Sequence, residues 1–542
     1  MPLLLFQIFS RFRGERASWW IVFGVVGLVF IGQARLIDGS HPYPQHVDER
    51  YVLRPAKRIL QTGSLNPKFF KYPSLPIYAA AIAMSAGFVW ENSQPGPFQK
   101  IKNIGDVTPP YYTMPRVCLV PRLMFCFFGC LALLWAGMVG KQLYSHASLA
   151  LVPIVLATVP EFLHRSWSYV NVDILLASLV LLTFMSLSTT AHRNCYWFRC
   201  CLPGILVGAC IATKYTGALM FLPAALTIWL FDRKQRIQKT LVLGLCSVGF
   251  FVVFTPFSVL DVPAFLNDMS FENWHYKVRG HHRHNVEPGV PNFIDYGKDL
   301  LNIYGILGTV LAIVGLIASF RRNWRFTLIV FVTTLTMVAF LSGYRVHFTR
   351  NILSVMAVVA VFIGIGITAS FELISNFLKR IPRPFDARWM DFTSGLIVLM
   401  ICMSALPWHD VALAYRRPPD SRNLFVPWAM TSQTNDTQLV IPTSLKMDFR
   451  SLEAHFRVIS VDLESPSETS RILPELSQGR TILLIPGYSP RGKWIGRAVQ
   501  AEREGLLKLG AAKIIKRFGN TPVIPSPKRI LADPLFYVAV MQ

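Results

Sequence analysis

Residues 352–370 read ILSVMAVVAVFIGIGITAS, nineteen positions without a charge. As an α-helix rising about 1.5 Å per residue, this stretch is about 28 Å long, the thickness of a bilayer's hydrocarbon core. It reads as one membrane span within the window 352–376. Working outward, similar windows fall near 18–36, 117–140, 148–164, 173–190, 240–260, 300–320, 326–343 and 391–408. With 52% hydrophobic and only 15% charged residues, the chain carries more apolar surface than a soluble fold of 542 residues could bury. The formal charge of +24 would suggest nucleic acid in a soluble protein. Here Lys and Arg punctuate apolar runs instead of forming a face, so no nucleic-acid partner is expected. The cysteines (118, 126, 130, 195, 200, 201, 210, 246 and 402) lie in or beside those runs and imply no disulfide framework. Arg11, Arg13 and Arg16 could introduce a signal peptide cleaved near Gly32-Gln33-Ala34, but an uncleaved first span is expected because further spans follow.

Two stretches are ambiguous. Residues 203–231 form a long apolar run broken at Lys214 and Tyr215, and residues 73–90 could span or lie in the interface. The excess of Lys and Arg on cytoplasmic loops decides between the options. If 203–231 crosses twice and 73–90 does not cross, the N-terminal arginines share one side with every short basic loop. Those loops are Arg193/Arg199, Arg233/Lys234/Arg236/Lys239, Arg321/Arg322/Arg325 and Lys379/Arg380/Arg383/Arg388. The expectation is a polytopic α-helical membrane protein of about eleven transmembrane helices with a cytoplasmic N-terminus. Three segments then lie outside: 37–116, 261–299 and everything after about 409. The last contains the apolar runs 439–441, 458–461 and 482–485 between polar stretches, and reads as a soluble extracytoplasmic α/β domain. The expected domains are 1–408, in the membrane, and 409–542.

The first outer segment opens His46-Val47-Asp48-Glu49-Arg50-Tyr51, an acid pair at the mouth of the membrane domain. Position alone allows a solvated pair neutralised by Arg50 or Arg54. The run continues through Gln61-Thr62-Gly63-Ser64-Leu65-Asn66-Pro67 to Lys71-Tyr72-Pro73-Ser74-Leu75-Pro76. This stretch resembles the first extracytoplasmic loop of the GT-C superfamily, which includes protein O-mannosyltransferases and the lipid A aminoarabinose transferase. In those enzymes an Asp-Glu pair follows the first helix, and a Gly-containing turn leads to Tyr-Pro-Pro-Leu or Lys-Pro-Pro-Leu. The resemblance extends in order through Pro121-Arg122-Leu123, Gly140-Lys141, the stretch Pro160 to Asp173, Ala212-Thr213-Lys214-Tyr215, Gly280-His281 and Arg350-Asn351-Ile352-Leu353. There are two departures. Tyr72 occupies the slot of the aminoarabinose transferases' lysine, with Lys71 one residue earlier. Pro55 falls within the helix expected after the acid pair, so that helix is expected to restart there.

The resemblance implies an inverting glycosyltransferase that takes its sugar, a mannose-like hexose or aminoarabinose-like pentose, from a polyprenyl phosphate. A lipid, glycan or protein hydroxyl is the acceptor, and the expected place is the outer face of a bacterial plasma membrane. The chemistry suits these residue types. A polyprenyl phosphate leaves as a stable anion, so departure calls for cations; the acceptor hydroxyl calls for one carboxylate base. The resemblance makes Asp48 that base, with Glu49 orienting a neighbour or binding substrate. Asp173 is either a second polar anchor or an acid interacting with its own helix dipole. Lys71, Arg122, Lys214 and Arg350 are candidates for the phosphate, against snorkelling from span ends, and Tyr72 and His281 join them as substrate contacts.

The run from His275 to His284, with Glu272 and Glu287 nearby, could hold a divalent metal but lacks zinc-ligand spacing on one helical face. No cofactor or metal is therefore expected. His192, Cys195, Cys200 and Cys201 could hold zinc, but cytoplasmic thiols stay reduced without it. Two rival classes remain: a transporter or flippase, which would keep its acids at mid-membrane, and a sensor acting through its C-terminal domain, which would leave Asp48 and Glu49 unexplained.

Overall fold

The computed structural model describes residues 15–43, 46–93, 103–104, 115–190, 196–232, 234–281, 284–378, 411–412, 415, 419–445, 447, 450–461, 481–486, 511–518 and 536–541. The expected span at 391–408 lies outside them, as do Arg193, Arg233, the cluster Lys379 to Arg388, His192, Cys195, His282 and Arg283. The chain divides into two compact units: Met1–Ala34 with Arg50–Gly105 and Val120–Arg416, and Arg35–Glu49 with Asp106–Leu119 and Arg417–Gln542.

Among the described residues, the α-helices of eight or more residues are, in chain order, α1 (Glu15–Ser40), α2 (Arg50–Thr62), α3 (Leu75–Ser93), α4 (Arg116–Leu143), α5 (His146–Thr158), α6 (Pro160–Trp167), α7 (Val172–Thr190), α8 (Leu202–Thr213), α9 (Phe221–Phe231), α10 (Arg236–Phe254), α11 (Val262–Trp274), α12 (Val290–Ser342), α13 (Leu353–Leu378) and α14 (Ser421–Ser432). Among the described residues, α1, α4, α7, α10, α12 and α13 are long and apolar enough to cross a membrane, and the bent pair α5–α6 makes a seventh. The protein is an integral membrane protein. α3 falls outside that set. The window 148–164, read as one straight span, bends by 78° at Val159. Pro160 is the cause: it forces the residue before it out of the helical region, and Val159 is extended (φ −69°, ψ 112°).

The run 203–231 folds back on itself. Two 17-residue apolar stretches, Trp197–Thr213 and Tyr215–Phe231, meet at Lys214, whose backbone is extended (φ −153°, ψ 135°). Gly217 sits so close to the Cys210 carbonyl that a Cβ would collide with it, which is why the reversal needs glycine. At the other end Asp232, at the close of α9, lies 3.1 Å from both Arg199 and Lys239. α12 is also a folded-back pair. Asn323 breaks it between Arg322 and Arg325 (φ −145°, ψ 69°), and Gly289 N–H bonds to Ser342 O at 2.8 Å, bringing its two ends together. Gly305, in left-handed backbone (φ 66°), sets off the outer piece 290–304.

The restart expected at Pro55 does not occur. α2 runs continuously from Arg50 to Thr62 with Pro55 inside and buried. Pro55 stands within two turns of the helix start and lacks only the N–H that would have bonded to Tyr51, so the helix survives its loss.

Among the described residues of the second unit, five strands form one sheet in the order β2-β1-β3-β5-β4. β1 (Gln438–Pro442) pairs in parallel with β2 (Arg457–Val461) and β3 (Thr481–Pro486); β5 (Phe536–Met541) pairs antiparallel with β3 and with β4 (Ala511–Phe518). The first three are the apolar runs read from the sequence. α14 covers the sheet: Phe425 meets Phe518 and Phe536 edge-on at 5.6 and 5.7 Å, over Leu439, Ile441, Ile482 and Leu484. Asp420 caps α14 by accepting from Arg422 N at 3.1 Å.

Candidate active site

In the first unit, several nominated residues gather around the 3-10 turn Thr349–Ile352, which opens α13. Lys214, at the tip of the folded-back pair, donates to Asp173 Oδ1 at 2.7 Å and to Asn351 Oδ1 at 3.1 Å. Three element ends therefore meet there: the α8–α9 tip, the start of α7 and the turn before α13. Asp173 is buried, and its own N–H is taken by Asn171 Oδ1 at 2.7 Å. It serves both as an anchor, for Lys214, and as an acid in its helix's first turn. Two of the three Lys214 protons are committed to these partners.

Arg350, in the same turn, lies with its guanidinium 4.4 Å from the Phe348 ring. His281 and His284 approach that ring from another side, at 5.1 and 4.7 Å between centroids. Arg350 and His281, far apart in sequence, thus share one aromatic platform. His275 lies 5.9 Å from His281, and burial first, with the electrostatic influence of its neighbours His281, Arg279 and Lys71, pushes its imidazole below the usual range. No group of three or more His, Cys, Asp or Glu is placed to hold a metal ion among the described residues.

The segment 65–72 is strapped to α11. Asn66 and Lys68 donate to Asp261 Oδ2 at 2.7 and 2.6 Å, Phe70 N–H donates to Asp268 Oδ2 at 2.7 Å, and Tyr215 OH donates to Phe70 O at 2.7 Å. Lys71 Nζ stands 3.7 Å over the Phe271 ring. Burial pushes the neighbouring Glu272 carboxyl up, Lys71 and Lys214 pull it down and Asp268 adds to the rise, leaving it at about 7. Sequence reasoning saw Glu272 only as a possible metal neighbour. The spacing 261, 268, 272 puts Asp268 and Glu272 on one face of α11 in line with Asp261 at its N-cap, a signal that could have found them. Tyr72 packs edge-on against Tyr51 and Phe69 at 6.5 and 6.2 Å. Arg122 is buried within α4, with 2% of its surface exposed.

Asp48 and Glu49 belong to the second unit. They lie in the 3-10 turn Val47–Glu49, where Asp48 N–H donates to His46 Nδ1 at 3.1 Å and Asp48 Oδ2 lies 3.6 Å from the same nitrogen. Because that nitrogen accepts the backbone N–H, a neutral His46 carries its ring proton on Nε2. Asp48 keeps part of its side chain open, whereas Glu49 is buried. The chain leading to this turn is fixed upstream. Asn423 Nδ2 donates to Gly39 O at 3.1 Å and to His41 O at 2.8 Å, and the buried Arg422 guanidinium, bonded to both Asp420 oxygens, lies 3.5 Å over the Tyr43 ring.

Residues 119–259, about a quarter of the chain, match the family model described as dolichyl-phosphate-mannose-protein mannosyltransferase. Over those residues the chain is similar to that family. No curated protein sequence matches it. Among solved structures it is similar to apo ArnT from Cupriavidus metallidurans (14% identity, 97% of this chain and 98% of that one, TM-score 0.49). It is similar also to the apo oligosaccharyltransferase of Archaeoglobus fulgidus (12%, 90% and 72%, 0.49) and to the S. cerevisiae protein O-mannosyltransferase Pmt1-Pmt2 complex (14%, 46% and 34%, 0.34).

Proposed function

We propose that the protein transfers a mannose- or aminoarabinose-like sugar from a polyprenyl phosphate to a hydroxyl of a lipid, glycan or protein, with inversion, on the outer face of a bacterial plasma membrane. One observation carries the reading: the cationic turn region of the first unit adjoins an apolar cavity. The cavity, of about 350 Å³, is lined by Phe293, Gly297, Tyr304, Val338, Val355 and Phe362, among others. Its residues 293, 297, 300 and 304 form one stripe of α12, and Asn292, Tyr296 and Asp299, beside the turn, form the adjacent stripe. A polyprenyl phosphate is a charged head on an isoprenoid tail and needs such a pairing; a nucleotide sugar does not. The matched family's description names a donor of the lipid-phosphate kind.

In this mechanism the acceptor oxygen bonds to the anomeric carbon as its proton passes to Asp48, and the bond from that carbon to the phosphate oxygen breaks. Glu49 orients the neighbourhood of Asp48. Lys214, Arg350 and Lys71 stabilise the departing phosphate, as preorganised cations do for charge that grows in a transition state. Asp173 holds Lys214 in place, and Tyr72, Arg122 and His281 complete the substrate contacts. No metal step is required by this chemistry.

Purified protein in detergent, given polyprenyl-phosphate mannose or aminoarabinose and a mixture of envelope lipids and glycans, is expected to consume the lipid-linked sugar, as followed by mass spectrometry. Nucleotide sugars should be ignored. Arg350→Ala should raise the donor KM by about tenfold to a hundredfold, the value of one charge-assisted hydrogen bond, with little change in acceptor KM. Turnover of a nucleotide sugar without the lipid carrier would refute the donor.

A further inference from the structure

His347 lies outside every motif discussed above, yet both of its ring nitrogens are engaged beside the turn. Its Nδ1 is 2.6 Å from Asn292 Oδ1, and its Nε2 is 3.0 Å from Asp299 Oδ2. The amide's orientation is fixed, because Asn292 Nδ2 donates to Tyr344 O at 2.8 Å and Ser342 O at 3.4 Å. Reversing the amide would set its oxygen against those two carbonyls. An acceptor therefore faces Nδ1. Asp299 is an acceptor too, since its Oδ2 also takes the hydroxyl proton of Thr349. A neutral imidazole has one N–H and cannot satisfy two acceptors. The ring also packs on the Tyr296 ring, 4.2 Å away at 31°.

The same Asp299 oxygen accepts from Thr349 Oγ1 at 2.7 Å, and Thr349 opens the turn that carries Arg350 and Asn351. We propose that His347 is a positioning residue: as an imidazolium joined to Asp299, it holds the Thr349–Ile352 turn so that Arg350, and Lys214 through Asn351, face the phosphate of the lipid donor. Loss of its proton breaks one of the two acceptor contacts and loosens the turn. The other ionisable groups around it are Tyr296 beside it on α12, Arg345 and Arg350 in its own segment, and His284, whose carbonyl accepts the His347 N–H at 2.8 Å. His281 packs on the ring of the next residue, Phe348, and Lys214 with Asp173 lies beyond Asn351. None of these supplies a second carboxylate to the ring. The inference rests on the donor reading above.

The test is binding of undecaprenyl phosphate to the purified full-length protein between pH 5.5 and 8.5, for the wild type, His347→Gln and Asp299→Asn. Ionisation of the phosphate itself strengthens binding as pH rises, equally in all three, so the comparison between variants isolates His347. Relative to His347→Gln, wild-type affinity should fall by about tenfold across the range, with its advantage present at acid pH and lost at alkaline pH. Asp299→Asn should lose that advantage at a lower pH, because the imidazolium has lost its counter-charge; a merely structural role would weaken binding without moving the profile. Equal affinity and equal pH profiles in all three proteins would overturn the inference and leave the donor reading standing. No binding by the wild type at any pH would overturn the donor reading and this inference with it. Should both variants fail to fold, the imidazole nitrogen resonances of ¹⁵N-histidine-labelled wild type decide, and a neutral His347 at pH 6 would overturn the proposal.

Discussion

Asp48→Asn keeps the side chain's volume and removes its basicity. The backbone bond from Asp48 to His46 Nδ1 does not involve the carboxylate, so the turn should persist. Transfer is expected to fall by about a hundredfold to ten-thousandfold, the usual value of a general base, with unchanged expression and elution profile. Near wild-type kcat would remove Asp48 from the mechanism, and Glu49→Gln should be damaging but less complete. Glu272 offers a residue-scale prediction about pH. Its carboxyl sits at about 7, against 4.5 for the unstructured chain, so the folded protein holds this proton more tightly than the unfolded one. Folding stability therefore falls as pH rises from about 4.5 to about 7, where the buried group is forced to ionise. Glu272→Gln removes that loss. Thermal unfolding in detergent should show the variant level with the wild type near pH 5 and more stable at pH 8, by on the order of 1 kcal/mol after solvent screening. A gain of the same size at both pH values would contradict it.

Among the elements, the folded-back pair at 203–231 was legible from charge placement alone. Putting Lys214 at the outer tip was the only choice that kept Arg199 and the 233–239 cluster on one side, and the structure has Lys214 at the tip and Arg199 with Lys239 at the base. What charge placement did not show is the contact that makes the reversal tight, between Gly217 and Cys210, seven residues apart. Gly217→Ala should therefore cost about 1–3 kcal/mol and lower the yield of monodisperse protein. Gly249→Ala, where a Cβ meets nothing within 4 Å, is the control expected to behave like wild type in size-exclusion chromatography. The bend at Val159 was written in the following proline, but the apolar run across it hid the break. Pro55 misled in the other direction, since a proline near a helix start costs one hydrogen bond and not the helix. Strand β4, AAKIIKRF, escaped because its lysines and arginine break the apolar run; β5, FYVAVM, carried a strand signal that went unused. The site followed the same division. Motif residues such as Lys214 and Arg350 could be named singly. Their partners Asn351, Phe348, Glu272 and His347 follow from which element ends meet, and periodicity along one element does not contain that.

For the molecule as a whole, the assignment of sides is the claim on which every role above depends. The folded-back pair brings an even number of crossings between the basic clusters at 199 and 233–239, and the pair within α12 returns the chain across Arg321, Arg322 and Arg325. The sides then alternate so that Lys214, the α11 loop and the Thr349–Ile352 turn share one face and the basic clusters share the other. Gln235 and Asp436 are both exposed and probe the two faces independently. In a chain whose native cysteines are replaced, a cysteine at 436 should react with a membrane-impermeant maleimide in sealed right-side-out vesicles. A cysteine at 235 should react only after permeabilisation. Labelling of 235 from the outside would invert the membrane domain, carry Lys214 and Arg350 to the cytoplasmic face and remove the argument for an outward-facing donor site. Labelling of 436 only after permeabilisation, with 235 still protected, would mean an even number of spans. The error would then lie beyond α13, where the expected span at 391–408 falls, and the site in the first unit would be unaffected.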